Sequence, residues 1–394
     1  MNLLMCGPYR VEKYRGNYYI KPNRGKSFFA NYLAAFDSVT VCFRVANVDV
    51  EPKDWELIDD PRISFLDFPD MHGLRYYFGF GGKKVERLVM DAVKKADCVI
   101  SFGFGFDSKT SRLCNRLNKP YAYELVVDSA EAIRVKSPKH PIICKILAYF
   151  TFRRLRAIVK RADAVIYVNR SWLPKRYPVG KGKLSLVCSD VGLADELLCQ
   201  PRVYEAPVEP LKIAFVATFT ALKRHEDLIE ACALLKKEGK RVEPHFIGFG
   251  DRFETMKKLA ADRGLVLDKD VFFHGLIDDR DLLYSELDKC HAITLCSTTE
   301  GLSRALVEGM ARGLAVLATN VGGNPELVRP EDLFEVADFN RLAEILRNMC
   351  DDPKRLTAMS KHSVETAAEY VNSKLLVKRL ECYRRLADLA KNKK

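Results

Sequence analysis

Short apolar runs alternate with helical stretches along the whole of this 394-residue chain, and the alternation restarts after a proline-rich break. In the first half, Leu3–Cys6, Val39–Arg44, Ile63–Phe65, Cys98–Ser101, Tyr121–Val127, Ala164–Val168 and Leu184–Val187 read as strands. Helical spacing covers Ser27–Phe36, Lys83–Lys95, Ser108–Leu117 and Pro141–Arg161. The second half repeats the scheme with strands Lys212–Ala217, Glu243–Gly248, Val271–Gly275, His291–Cys296 and Ala315–Thr319. Strands separated by helices cannot pair as hairpins, so each half predicts a doubly wound parallel sheet, an α/β fold. Between them, Gln200–Leu211 carries Pro201, Pro207 and Pro210 and loses periodicity, which predicts domains 1–203 and 204–372. The long amphipathic segment 373–394 is expected to pack back onto the first domain.

Charge separates the halves. Residues 1–200 hold 33 of the 64 Lys and Arg against 21 of the 52 Asp and Glu, while the remaining 31 and 31 cancel. The whole excess of +12 therefore lies in the first half. No nucleic-acid motif accompanies it, so no nucleic-acid partner is expected, and an anionic membrane surface or phosphate-bearing lipid fits at least as well. In Pro141–Arg161, Lys145, Arg153, Arg156 and Lys160 share one helical face, opposite Cys144, Leu147, Thr151, Leu155 and Ile158. The apolar face is expected against the sheet and the basic face toward headgroups. Twelve scattered cysteines without a CxxC pair point to free thiols in a reducing cytoplasm. No apolar run approaches the roughly 20 residues a spanning helix needs. The expected location is cytoplasmic, with peripheral contact at the inner face of the plasma membrane.

Glu300 and Glu308 stand in Thr298-Thr299-Glu300-Gly301-Leu302-Ser303-Arg304, continuing to Gly313, directly after the strand His291–Cys296. One carboxylate falls in the loop at a strand's C-terminal edge and the other on the helix that follows. In open α/β sheets ligands bind at that edge. Amides of Gly301, Leu302 and Ser303 at the helix start suit an anion. Carboxylates flanking an anion hole fit a diphosphate with hydroxyl-rich ends. Lys223, in the loop after the strand Lys212–Ala217, would face the same edge as a point charge for phosphate oxygens. A solvated helix start, Lys223-Arg224-His225, is the plainer reading of that cation.

With these residues in view, the second half resembles the donor domain of retaining glycosyltransferases of family 4, which have the GT-B fold of two facing Rossmann-like domains. The likeness rests on the strand-loop through Thr218 to Lys223, Phe246 to Asp251, Val271 to Gly275, and Glu300 through Glu308 and Gly313 to Val321-Gly322-Gly323-Asn324-Pro325-Glu326. It implies that Glu300 meets donor-sugar hydroxyls and Glu308 the ribose. Gly301, Leu302 and Ser303 would cradle the distal phosphate, and Lys223 would neutralise the diphosphate, with Gly275 beside the site. The family usually has an arginine five residues before the lysine; here it is Thr218, with Arg224 or a first-domain arginine as substitute. The implied activity is hexosyl transfer from a nucleoside-diphosphate sugar to a glycan or polyprenyl-diphosphate-linked acceptor in cell-surface polysaccharide biosynthesis, without a metal or other cofactor. A GT-B-like nucleotide-sugar epimerase and a non-catalytic nucleotide-sugar-binding protein are the alternatives.

The first domain follows the family less closely. Gly25-Lys26-Ser27 is no P-loop ending, because the first glycine of that motif would be Ile20. Arg24 and Gly25, opening a helix, remain candidates for approaching a phosphate. Tyr121–Asp128 lacks the family's histidine and resembles an exopolysaccharide-transferase branch with Glu124 and Asp128 in its place. Either could orient or deprotonate the acceptor hydroxyl. Asp128 reads equally as the N-cap of a helix at Ser129-Ala130-Glu131. The seven histidines show no ligand spacing.

Overall fold

The computed structural model describes the chain except residues 23–24, 74–75, 77–80, 104, 136–140 and 393–394. The first sheet contains β1 (Asn2–Tyr14), β2 (Asn17–Ile20), β3 (Ser38–Asn47), β4 (Glu56–Leu57), β5 (Ile63–Phe65), β6 (Phe68–Pro69), β7 (Cys98–Ser101), β8 (Tyr121–Leu125), β9 (Ala164–Tyr167) and β10 (Leu184–Val187). Its parallel core runs β5-β3-β1-β7-β8-β9-β10, the order of a Rossmann fold. Alternate residues of β1 serve opposite faces. Leu3 and Met5 join one core layer, Leu4 and Cys6 the other, so strands covered on both sides read as unbroken apolar runs.

The start of the chain departs from expectation. Instead of a loop after Cys6, β1 continues and turns back through Arg15 and Gly16 into antiparallel β2. Both turn residues have positive φ, 46° and 87°, as a tight two-residue hairpin requires.

The second sheet holds β11 (Leu211–Val216), β12 (Val242–Ile247), β13 (Phe272–Gly275), β14 (Ala292–Leu295), β15 (Ala315–Thr319) and β16 (Leu333–Phe334) in the order β13-β12-β11-β14-β15-β16, all parallel. Cys188 packs in the first domain's core, whereas Val191 and Leu193 pack in the second. The chain thus changes cores just after Cys188, ahead of the proline-rich segment.

The C-terminal helix Asn372–Asn392 bridges both domains. Leu375 lies in the second core, while Cys382, Tyr383, Leu386, Ala387 and Ala390 fill the first. Tyr383 stacks on Tyr32 of the helix Lys26–Leu33 at 4.3 Å between centroids. Eleven of the twelve cysteines are buried, and no disulfide forms among the described residues. No helix among them is long and apolar enough to cross a membrane.

Candidate active site

β11 and β14 are the neighbouring strands from which the second sheet winds in opposite directions, and such a switch point opens a crevice at the strands' C-terminal edges. The loop after β11 carries Thr218, Lys223 and Arg224; the loop after β14 carries Ser297 to Ser303. The backbone N–H of Thr298 donates to the Leu222 carbonyl at 2.8 Å, tying the loops together. Across that seam Lys223 Nζ donates to Glu300 Oε1 at 2.5 Å, and Ser297 Oγ donates to the same oxygen at 2.6 Å. Two residues separated by 77 positions in sequence thus share one contact.

Glycines allow the surrounding backbones to close up. A Cβ on Gly322 (φ 54°) would lie 1.8 Å from the Glu300 carbonyl oxygen, and one on Gly323 would lie 2.2 Å from that of Gly301. The Gly322-Gly323 turn therefore supports the Glu300 loop from beneath. Gly248 and Gly250 press likewise against the carbonyls of Ala217 and Phe219 beside the Lys223 loop. Gly275 ends β13 with φ 73° and open space where a side chain would stand.

Ser303 caps the helix Arg304–Ala311, its Oγ accepting from the Leu306 N–H at 3.3 Å. Glu308, one turn on, is buried with Oε1 accepting from Arg280 Nη2 at 2.7 Å. Arg280 opens the neighbouring helix Arg280–Asp288 and is half exposed. Leu302 packs at the margin of the second core.

The loop at Gly301 touches the first domain. Asn169 Nδ2 donates to the Gly301 carbonyl at 3.0 Å, and a Cβ on Gly301 would lie 2.3 Å from the Val126 carbonyl oxygen. Glu326 makes the second fastening. It accepts from the backbone N–H groups of Arg170 and Ser171 and from Ser171 Oγ, at 2.8–2.9 Å. A carboxylate of one domain thereby holds the turn that leads into the helix Trp172–Arg176 of the other. Hydrogen bonds to a charged group contribute about 1.5–3 kcal/mol when well buried, and partial exposure reduces that here. Glu326→Ala is expected to loosen the pairing of the domains, raising the radius of gyration in solution scattering. An unchanged scattering profile removes this role.

Several expected site residues sit elsewhere. Thr218 is exposed in its loop, and nothing cationic occupies that position. Arg224 does not replace the missing arginine. Its guanidinium makes two 2.7 Å bonds to Asp227, the residue three positions on, and so braces its own helix. Asp128 is fully buried, accepting from the N–H groups of Ala130 and Glu131 at 3.1 Å and from the Tyr177 hydroxyl at 2.6 Å, and pairing with Arg176. That geometry makes it a helix cap rather than an acceptor base. Glu124 lies at 3.5 Å from the Tyr32 hydroxyl under the C-terminal helix. Gly25 does not open toward a ligand either. The Glu56 carboxylate fills the space its side chain would take and accepts from the Lys26 N–H at 3.2 Å, supplying the helix's anion from within. Arg24 lies outside the described residues.

Ser297, Asn169, Arg280 and the bonds made by Glu326 were missed from sequence. Single polar residues at loop positions carry no periodic signal, and their partners stand more than a hundred residues away in the case of Asn169 and Glu326. Among the described residues, no group of three or more His, Cys, Asp or Glu side chains gathers to hold a metal.

Known proteins resemble this chain. A family model described as glycosyl transferases group 1 matches residues 200–366. The chain is similar to Protein CapJ of Staphylococcus aureus, 28% identical over 352 residues that cover 88% of this chain and 85% of that protein. It is also similar to the putative colanic acid biosynthesis glycosyltransferase WcaL of Escherichia coli (strain K12), 28% identical over 180 residues. That match spans 44% of this chain and less than half, 43%, of WcaL. Among solved structures, Anabaena Alr3699/HepE in complex with UDP superimposes with a TM-score of 0.65 at 15% identity, covering 98% of this chain and 100% of that one. At that identity the likeness speaks for the fold. Residues 200–366 thus carry a glycosyl transferases group 1 domain, and the two facing Rossmann-like domains give the chain the GT-B fold of a glycosyltransferase.

Proposed function

We infer that the chain is a retaining hexosyltransferase using a nucleoside-diphosphate sugar, with a glycan or polyprenyl-diphosphate-linked oligosaccharide as acceptor, in cell-surface polysaccharide biosynthesis. The observation that carries this reading is the Lys223–Glu300 pair at the switch point, directly beside the first domain's edge at Val126 and Asn169. The name of WcaL supports the biosynthetic setting and the UDP held by Alr3699/HepE supports the donor class.

The chemistry follows from charge. Glycosyl cleavage passes through an oxocarbenium-like transition state, so negative charge builds on the departing diphosphate. Lys223, released from Glu300, would meet that charge together with the amides at Gly301 to Ser303. Glu300 would then accept from sugar hydroxyls. Glu308 has Oε1 held by Arg280, leaving Oε2 for a ribose hydroxyl. No side-chain nucleophile is assigned. The leaving phosphate would take the acceptor proton on the same face of the sugar, and closure of the domains would keep water out. No step is assigned to a metal.

Lys223→Ala is expected to weaken binding of the bare nucleoside diphosphate by about tenfold, the worth of one charge-assisted contact. Calorimetric titration of UDP, GDP and ADP reads this directly, and an unchanged dissociation constant takes Lys223 out of the site. An epimerase would instead convert donor with no acceptor present, which product chromatography separates from transfer.

The same reading includes peripheral contact with an anionic membrane through the helix Pro141–Arg161. Of the expected apolar face, Cys144, Thr151, Leu155 and Ile158 are buried against the first domain and Leu147 is half-buried. The outward side is not only basic. Ile142, Ile143, Ile146, Tyr149 and Phe150 are 51–72% exposed, beside exposed Lys145, Arg153, Arg156 and Lys160. Apolar side chains flanked by cations suit the headgroup boundary of an anionic bilayer. Ile143, Ile146 and Phe150 changed together to serine should lower co-sedimentation with vesicles containing phosphatidylglycerol. Equal sedimentation of wild type and variant would make this face a solvated surface.

A further inference from the structure

A cavity of about 440 Å³ lies between the domains, apart from the Lys223–Glu300 contact. Its volume falls within the range of small-molecule sites, roughly 300–1,000 Å³. Three parts of the chain build it: Ser27 and Asn31 on the first domain's opening helix, Arg304 at the start of the helix after the Glu300 loop, and Ser373 and Arg379 on the C-terminal helix. Asp190, where the chain crosses between cores, closes one wall.

The two arginines give the cavity its character. Arg304 is exposed and makes no hydrogen bond or ion pair among the described residues. It occupies the first position of the helix Arg304–Ala311, where the helix dipole disfavours a cation, so helix stability does not explain it. Arg379 spends one donor on the Ser189 carbonyl at 2.7 Å, which anchors its guanidinium beside the cavity. An arginine's planar fork matches a carboxylate or phosphate in geometry as well as charge. Asp190 is the single acid of the lining, so the walls carry a net positive charge. Asp190, Asn31 and Ser27 supply the acceptors and donors that hydroxyl groups need. Arg304 follows Glu300 by only four positions, so the cavity adjoins the proposed donor site.

We propose that this cavity is the acceptor subsite, and that it takes a saccharide bearing an anionic group, carboxylate or phosphate, held between Arg304 and Arg379 with its hydroxyls on Asp190 and Asn31. The assignment rests on the glycosyltransfer reading above and narrows it to an acidic acceptor. Selection comes from the walls, since a neutral sugar would leave the Arg304 guanidinium without an anion.

Binding of three probes to the full chain tests this: glucuronate, glucose 1-phosphate and glucose, followed by calorimetry or ligand-observed NMR. An anionic sugar should bind at least about tenfold more tightly than glucose, and Arg304→Gln should remove that preference. Arg304 is exposed, so its variant should fold, and Asn31→Ala gives a second, milder perturbation of the same site. Glucose 1-phosphate binding must survive Lys223→Ala, which separates this cavity from the donor diphosphate site. Preference for glucuronate alone identifies a uronic-acid acceptor; preference for glucose 1-phosphate alone identifies a phosphorylated one. Glucose binding as tightly as both anions, or a full anionic preference in Arg304→Gln, overturns the proposal. Nucleoside-diphosphate binding in the wild type is measured in parallel. Its absence would sink the donor reading, whereas its retention with no anionic preference would sink only the acceptor assignment.

Discussion

Glu300→Ala should lower sugar transfer by about ten- to a hundredfold, the worth of one charge-assisted hydrogen bond of about 1.5–3 kcal/mol. The substitution removes the group that links both switch-point loops, since Lys223 and Ser297 each donate to Glu300 Oε1. The fold should survive it. Gly322, Gly323 and Asn169 hold the loop through its backbone, not through the Glu300 side chain. Lys223 is 27% exposed on its side chain and can turn to water once its partner is gone. The expected signature is therefore a fall in kcat/KM for donor with little change in melting temperature. Glu300→Gln keeps the shape but not the charge, and should fall between wild type and alanine. Near-normal turnover in both variants would take Glu300 out of the site.

Acidification should destabilise the second domain well above the pH at which carboxylates titrate. Burial lowers the pKa of His225 to about 3, with help from the charges of Arg252 and Lys223. Burial likewise lowers His245 to about 4, beside His274, and His291 to about 4, beside Arg202 and Lys212. An unfolded histidine titrates near about 6.5. Above that pH both states are neutral and stability is complete. Below it the unfolded chain binds protons that the folded one refuses, so stability falls as pH drops from about 6.5 toward 3–4. His225 should dominate. It is wholly buried, stacked on Phe219 at 4.0 Å between centroids, and its ring nitrogens have no hydrogen-bond partner among the described residues. A displacement of a few pKa units corresponds to several kcal/mol, at about 1.4 kcal/mol per unit. Asp227 and Asp332, whose pKa burial raises, work in the opposite direction and soften the slope. Denaturant midpoints at pH 7.5, 6 and 5 in wild type and His225→Leu would read the effect. Equal pH slopes in the two proteins would show that the buried imidazole is not its source.

Much of the second domain was legible in the residues. Its strands are short, apolar and separated by helical periods, and a parallel strand buried on both faces has to read that way. β14, the Glu300 loop and β15 lie close together in sequence, so local spacing sufficed to place the carboxylate at a strand edge. The first domain was less legible. The hairpin of β1 and β2 hides in a polar segment, and its turn at Arg15-Gly16 lacks the usual asparagine or aspartate before the glycine. The capping of Lys26 by Glu56 was invisible for a different reason. The carboxylate arrives from 30 residues away, and a free helix start and an occupied one look alike in one dimension.

By itself the sequence determined two doubly wound domains, a returning C-terminal helix and a charged loop at the second sheet's edge, because periodicity and local turn chemistry are properties of neighbours along the chain. Only the tertiary structure decided which polar groups meet. It paired Lys223 with Glu300, turned Arg224 to Asp227, buried Asp128 as a cap, fastened Glu326 across the domains and set Arg304 and Arg379 around one cavity. The direction of a side chain in a loop depends on packing from distant segments, and that information exists only once the chain has folded.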